Sequence, residues 1–247
     1  MPAKLLFQFD SYLKEFEAVV TRIEGNTLFL DQTAFHPRPS GGLDADHGFI
    51  YSNSGVPLKV VDVTIVDNDV AHHIEGDPSI LRVGEKIRGV IDWDRRYRIM
   101  RLHTASHIIA ALLYERYGAL VTGGHIGPDV ARDDFDLSRA DDWKAALRWA
   151  VEETNRIASK CIEVKVYWLS REEALSIPGL IKLAEKLPPS IDKLRVVEIP
   201  GVDIQADGGP HVRNTCEIGE IEIVKLESKG RKKRRIYYKL KEGETKG

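Results

Sequence analysis

Two periodicities divide this chain. Up to about residue 90, apolar positions recur in short runs broken by polar turns. Residues 16–20 and 27–30 flank Gly25-Asn26, which reads as a β-hairpin. Val60, Val61, Val63 and Ile65 lead through the turn Asp67-Asn68-Asp69 to an alternation of Val70, His72 and Ile74. Short strands, polar turns and no helical repeat predict a small β-barrel. The intervening HPRPSGGLDADHG reads as a loop from its Gly and Pro content.

From about Ile91 the period changes. Asp92 is a candidate N-cap for WDRRYRIMRLHTASHIIAALLYERYG, with Leu102, Ala105, Ile109, Leu112 and Leu113 as an apolar stripe and Gly118 as terminator. Ser138 or Asp141 opens a second helix through Trp143, Ala146, Trp149 and Ile157. Residues 162–168 read as a strand, and Ser170-x-x-Glu173 is a capping box for a shorter helix. Strands are expected at 194–199, 218–226 and 236–240, and the terminal EGETKG is expected to fray. The prediction is an α+β protein. Residues 1–90 form a small N-terminal β-barrel, and residues 91–247 form an α+β domain with packed helices and a mostly antiparallel sheet.

Composition narrows the class without naming a function. The 247 residues are 43% hydrophobic and 30% charged, with a formal net charge of −2. That balance is globular, and it gives no overall attraction to nucleic acid, so any RNA contact rests on local basic patches. No run approaches the roughly 18 apolar residues of a membrane helix, and MPAKLLFQFD lacks the pattern of an export signal. With only Cys161 and Cys216, a disulfide framework is not expected and a reducing cytoplasm is the simpler setting.

Chemistry concentrates in two places. His103 and His107 stand four apart on the predicted helix, so both imidazoles face one point and form half of a metal site; a hydrogen-bonded or solvated pair is the competing reading. Far along the chain, Asp207-Gly-Gly-Pro-His211 contains a tight glycine turn that would point Asp207 and His211 to one side; a polar turn with a stray histidine competes. Together they make a four-ligand shell.

The runs RRYRIMRLHTASHII and DIQADGGPHVRNTCEIG resemble the paired metal motifs of the alanyl-tRNA editing proteins, freestanding relatives of the editing domain of alanyl-tRNA synthetase. LDQTAFHPRPSGGLDADHG is similar to that family's glycine-rich loop, GGHIGPDVARDDFDL to its middle strand and VKLESKGRKKRRIYYKL to its C-terminal hairpin. The likeness runs from about Phe16 to Leu240. It implies an α+β editing domain whose zinc is held by HxxxH and CxxxH, preceded in longer members by a β-barrel. Here Asp207 stands for the family's cysteine, Pro210 for a threonine and Cys216 for a glycine; Ser40-Gly41-Gly42-Leu43 replaces a fuller glycine run. His103, His107, Asp207 and His211 are the implied Zn(2+) ligands, with Cys216 as an alternative fourth.

The resemblance implies a hydrolase that deacylates mischarged alanine tRNA, seryl-tRNA or glycyl-tRNA, through its acceptor end. The alternatives are a tRNA-binding relative with impaired catalysis and a metallo-esterase for another aminoacyl ester. To spare alanine while cutting serine, the pocket must reward a hydroxyl. Ser106, where the family carries a threonine, and His125, where it often has a glutamine, are the candidate catalytic residues. Gly41 and Gly42 of the loop and Lys232, Lys233 and Arg234 of the basic turn 229–235 are candidate tRNA contacts. So are Arg98 and Arg101, from a second basic group that includes Arg95 and Arg96. No membrane and no obligate protein partner are expected.

Overall fold

The computed structural model describes residues 2–52, 55–177, 193–230 and 232–242. Its contacts divide the chain into two compact units, residues 1–97 and 98–247. Of the expected fraying tail, residues 243–247 lie outside the described residues, as does Arg231 of the basic turn.

The first unit contains β1 (Lys4–Leu5), β2 (Glu15–Glu24), β3 (Thr27–Leu30), β4 (Gln32–Thr33), β5 (Gly48–Tyr51), β6 (Pro57–Val66), β7 (Asp69–Glu75) and β8 (Lys86–Ile91). Six of these strands pair in the order β2-β3-β7-β6-β5-β8, and β8 pairs back onto β2 to close the ring. Alternation drives the closure: Phe16, Ala18 and Val20 of β2 point into a core shared with Leu28, Leu30, Val70 and Ile74. In β6 a bulge between Val60 and Asp62 shifts the parity, so Leu58, Val60 and Val63 are all buried; Ile65, beside the hairpin turn, is exposed. At the β6–β7 turn, Asp67 and Asn68 have φ of 50° and 62°, the mirror-image geometry that suits a two-residue hairpin.

The glycine loop is held by charge. Gly41 and Gly42, with φ of 61° and 79°, close a tight turn from the Ser40 carbonyl to the Leu43 amide. Beyond it, Asp44 pairs with Arg95 at 3.1 Å, and Asp46 pairs with Arg96, whose side chain is fully buried. Arg96 is thus no surface cation, contrary to the basic-group reading. The helix period brings it round to the interior, where Asp46 and the carbonyls of Ser11 and Ala34 take all three of its nitrogens.

The long helix α1 (Trp93–Tyr117) starts where the Asp92 carboxylate accepts from the Arg95 amide at 3.1 Å. Within the second unit it is buried almost all round, from Ile99 and Met100 to Leu112 and Leu113, rather than along one stripe. There follow β9 (Val121–Ile126), β10 (Ala131–Asp136), α2 (Trp143–Ala158), β11 (Lys165–Ser170), α3 (Arg171–Ser176), β12 (Lys193–Ile199), β13 (Asp203–Ala206), β14 (Ile221–Ser228) and β15 (Lys233–Leu240). The strands form one antiparallel sheet ordered β14-β15-β10-β9 and another ordered β11-β12-β13. The architecture is α+β with antiparallel sheets. The cap of α2 is Asp142, not Ser138 or Asp141, because its carboxylate reaches the amides of Lys144 and Ala145 at 2.9 and 3.0 Å. The capping box at Ser170 and Glu173 is present.

Cys161 and Cys216 are joined by a disulfide across 55 residues. This corrects two expectations, that no disulfide forms and that Cys216 is an alternative ligand. The segment after α2 pairs with the segment after His211, through Val164 to the Arg213 carbonyl at 2.9 Å and Thr215 to the Ile162 carbonyl at 2.9 Å. That pairing brings the two sulfurs together, and the sulfur of Cys216 is thereby committed. Among the described residues no helix is long and apolar enough to cross a membrane.

Candidate metal centre

Helix α1 and the turn after β13 bring His103, His107, Asp207 and His211 together, with one ligand atom from each lying within 4.8 Å of the others. The helical spacing stacks His103 and His107 on one face, their ring centroids 4.8 Å apart, and His211 closes the group at 4.1 and 4.5 Å from them. The three histidines are 2–7% exposed. Imidazoles packed this closely repel one another when protonated, so the arrangement favours neutral rings around a shared cation.

The outer contacts aim each ring. His103 Nδ1 donates to the Pro210 carbonyl at 3.2 Å, and His107 Nδ1 donates to Asp203 Oδ2 at 3.1 Å. The Thr104 hydroxyl spends its proton on the Met100 carbonyl, so its oxygen accepts from His211 Nδ1 at 3.0 Å. With all three Nδ1 atoms engaged, all three Nε2 atoms converge on the Asp207 carboxylate, at 3.6, 3.8 and 3.2 Å. Ligands about 2.0–2.1 Å from a tetrahedral ion stand roughly 3.3 Å apart, so the donor set fits such an ion with small adjustments. Partners that fix the far ring nitrogen are the usual support of a metal-binding histidine.

Asp207 owes its position to an Asx turn and to Arg195. Its carboxylate accepts from the Gly209 amide at 2.6 Å, and Arg195 of β12 donates to the carbonyls of Asp207 and Gly209, both at 2.9 Å. A side chain at 209 has no room: a Cβ there would lie 2.7 Å from His103 Cε1. Gly209→Ala is therefore expected to push the His103 ring off its aim and weaken metal binding by about 10- to 100-fold, the usual cost of disturbing an outer support. Competition with a chelating dye measures it, and wild-type affinity would show that the ring can yield.

Titration follows from burial and charge. Burial opposes ionisation of Asp207, but the histidines, His103 foremost, outweigh it and hold the carboxyl well below its usual value. Burial lowers His103 well below its ordinary value, with help from His211. Burial and the charge on His107 take His211 down to about 4. Burial also opposes the charge on His107, yet hydrogen bonds to Asp203 and Asp207 prevail and raise it to about 9. Without metal, His107 is the ring of the cluster that is cationic near neutrality.

Ser106, adjacent to His107, donates to Asp133 Oδ2 of β10 at 2.8 Å, and the Tyr238 hydroxyl of β15 donates to the same oxygen at 2.7 Å. His125 is not brought to the cluster. It is exposed and follows Gly124, which pairs with Asp133, so it leaves the opposite face of β9. Two residues before Gly124, the Thr122 hydroxyl is buried with no hydrogen-bond partner among the described residues. Sequence reasoning missed Thr122, Asp133 and Asp203, because isolated polar residues beside glycines or in a charged strand carry no spacing signal.

The candidate tRNA contacts lie elsewhere. Arg98 donates to the Pro128 carbonyl and Arg101 to the Ile218 carbonyl, at 2.9 and 3.0 Å. Lys233 pairs with buried Asp134 at 2.9 Å, alongside a bidentate Arg235. Arg234 lies over the Trp143 ring at 5.2 Å, and Lys232 is exposed.

Comparison with known proteins agrees with this architecture. Residues 194–237 match the model of the threonyl and alanyl tRNA synthetase second additional domain, and residues 4–95 match that of the class II (A) tRNA synthetases. The chain is 54% identical over 237 residues to the alanyl-tRNA editing protein AlaX-M of Saccharolobus solfataricus, covering 96% of this chain and 98% of that one. It is 43% identical to the AlaX-M of Methanosarcina mazei, covering 95% of each. An alanine–tRNA ligase of Archaeoglobus fulgidus is 37% identical over 90% of this chain but only 24% of its own length. Full-length identity at this level, on a chain that also gathers three histidines and an aspartate at one point, means that the protein belongs to the alanyl-tRNA editing family.

Proposed function

We propose that the protein is a trans-acting deacylase that hydrolyses mischarged tRNA(Ala), seryl-tRNA first and glycyl-tRNA second, with zinc at the centre formed by His103, His107, Asp207 and His211. The observation that carries this reading is the convergence of three Nε2 atoms and one carboxylate at one largely buried point, in a chain whose relatives are named for editing alanyl-tRNA. Nitrogen ligands with one oxygen suit zinc. When bound, zinc supplies a Lewis acid for the ester carbonyl and for an attacking water.

The chain's own residues do the rest. Pro210, Asp203 and Thr104 hold the three imidazoles in one tautomer, so no reorganisation is needed when the ester arrives. Ser106, half-buried beside His107, contacts the substrate side chain and rewards its hydroxyl. Alanine, which cannot make that bond, is released intact. Lys232, Lys233, Arg234, Arg98 and Arg101 guide the acceptor end of tRNA by phosphate attraction, with Gly41 and Gly42 as backbone contacts, in the cytoplasm where charged tRNA is used.

The test is deacylation of seryl-, glycyl- and alanyl-tRNA(Ala) by the purified, zinc-loaded protein. Loss of seryl ester at least about 10²-fold faster than alanyl ester is expected. Binding of the tRNA with no turnover would sink the hydrolase reading, and equal turnover of all three would sink the editing one.

A further inference from the structure

The carboxylate of Asp133 has no role in the chemistry described so far, yet it lies one hydrogen bond from it. It is 3% exposed, on β10, in the middle of the sheet. Two hydroxyls, Ser106 Oγ and Tyr238 OH, both address its Oδ2. Its other oxygen, Oδ1, is not among the fully buried atoms left without a partner. That oxygen faces Gly124, where even a Cβ would come within 3.0 Å. A buried carboxylate costs several kcal/mol unless it is satisfied: burial pushes the Asp133 carboxyl above its ordinary value, and the Tyr238 and Ser106 hydroxyls oppose that by bonding its ionised form.

A serine hydroxyl has one proton and two lone pairs, and its rotor is free unless a partner fixes it. An ionised carboxylate accepts only. Because Ser106 gives its proton to Asp133, what it offers to anything else is lone pairs. A side chain bearing an O–H can donate to it; a methyl group cannot. Ser106 is three residues from His103 and next to His107, so this acceptor borders the metal centre.

We infer that Asp133 is the specificity-determining positioning residue of this centre. By taking the Ser106 proton it turns Ser106 into a fixed acceptor for the β-hydroxyl of a seryl ester. This rests on the deacylase reading above and deepens it. Asp133 does not touch the reacting carbonyl; it acts through Ser106. An amide in its place can itself donate to Ser106 and release the rotor, so Ser106 no longer discriminates between a hydroxyl and a methyl.

The experiment compares wild type, Asp133→Asn, Ser106→Ala and the double variant, all zinc-loaded, on seryl- and alanyl-tRNA(Ala). The seryl-to-alanyl ratio of kcat/KM is expected to fall about 10-fold or more in Asp133→Asn, through a rise in the seryl KM, with zinc content and melting temperature held. In the Ser106→Ala background, Asp133→Asn should change the ratio less than about 2-fold, since the two act as one unit. A retained ratio overturns the inference, as does an equal loss on both esters or an additive double variant. If Asp133→Asn loses zinc or unfolds, the pair Asp133→Asn with Tyr238→Phe, which removes one buried donor together with the charge, is read in its place by the same criteria. A wild-type protein with no seryl preference defeats the deacylase reading itself, whereas a selective wild type with unaltered variants defeats only this inference.

Discussion

His103→Ala is expected to strip the protein of metal and lower deacylation of seryl-tRNA by about 10³-fold or more, because Lewis-acid stabilisation is worth several kcal/mol and each 1.36 kcal/mol is tenfold in rate. The ring is 3% exposed and meets Asp207, His107, His211 and the Pro210 carbonyl, so no other side chain substitutes for it. Elemental analysis and steady-state kinetics give the two readouts, and circular dichroism shows whether the helix persists. A variant that retains full metal content would remove His103 from the ligand set.

The second large effect concerns stability. Arg96→Ala leaves the Asp46 carboxylate, 2% exposed, without its cation, and removes donors from the Ser11 and Ala34 carbonyls. Breaking a buried pair from one side costs about 3–5 kcal/mol, because the surviving charge stays desolvated. For a chain of this size that is a melting-point drop of roughly 10 °C. Arg96→Met with Asp46→Ala, which removes both charges, should regain much of the loss. If the single variant melts within 2 °C of wild type, water reaches the pair and solvates Asp46.

These two arginine and histidine sites also show what was legible in the chain. The spacing of His103 and His107 was enough to place both on one helix face, and the Gly-Gly turn was enough to pair Asp207 with His211. Their ligand chemistry suggested joining the two halves into one shell; the family resemblance gave that joining its specificity, since about 100 residues separate them and spacing says nothing over that distance. Strand β10 was invisible to periodicity: ARDDFD has four charged residues in six. It is a central strand all the same, because Asp133 is satisfied by Ser106 and Tyr238, and Asp134 by Arg235 and Lys233, partners up to 105 positions away. Arg95 and Arg96 of α1 looked like part of a basic surface for the same reason. Their guanidinium groups meet backbone carbonyls and loop carboxylates that no local pattern announces. The disulfide was missed because two cysteines 55 apart carry no signal until the chain segments after α2 and after His211 are seen to pair.

The proton on His107 bears on how a metal ion would be taken up. His107, held up to about 9 by Asp203 and Asp207, keeps a positive charge among ligands that would otherwise leave the aspartate facing neutral rings. A proton on His107 carries positive charge at the place a metal ion would take, beside the Asp207 carboxylate. Loading is then an exchange of one positive species for another. Capture liberates that hydrogen, so acid competes with the ion and affinity climbs with alkalinity until His107 is bare on its own.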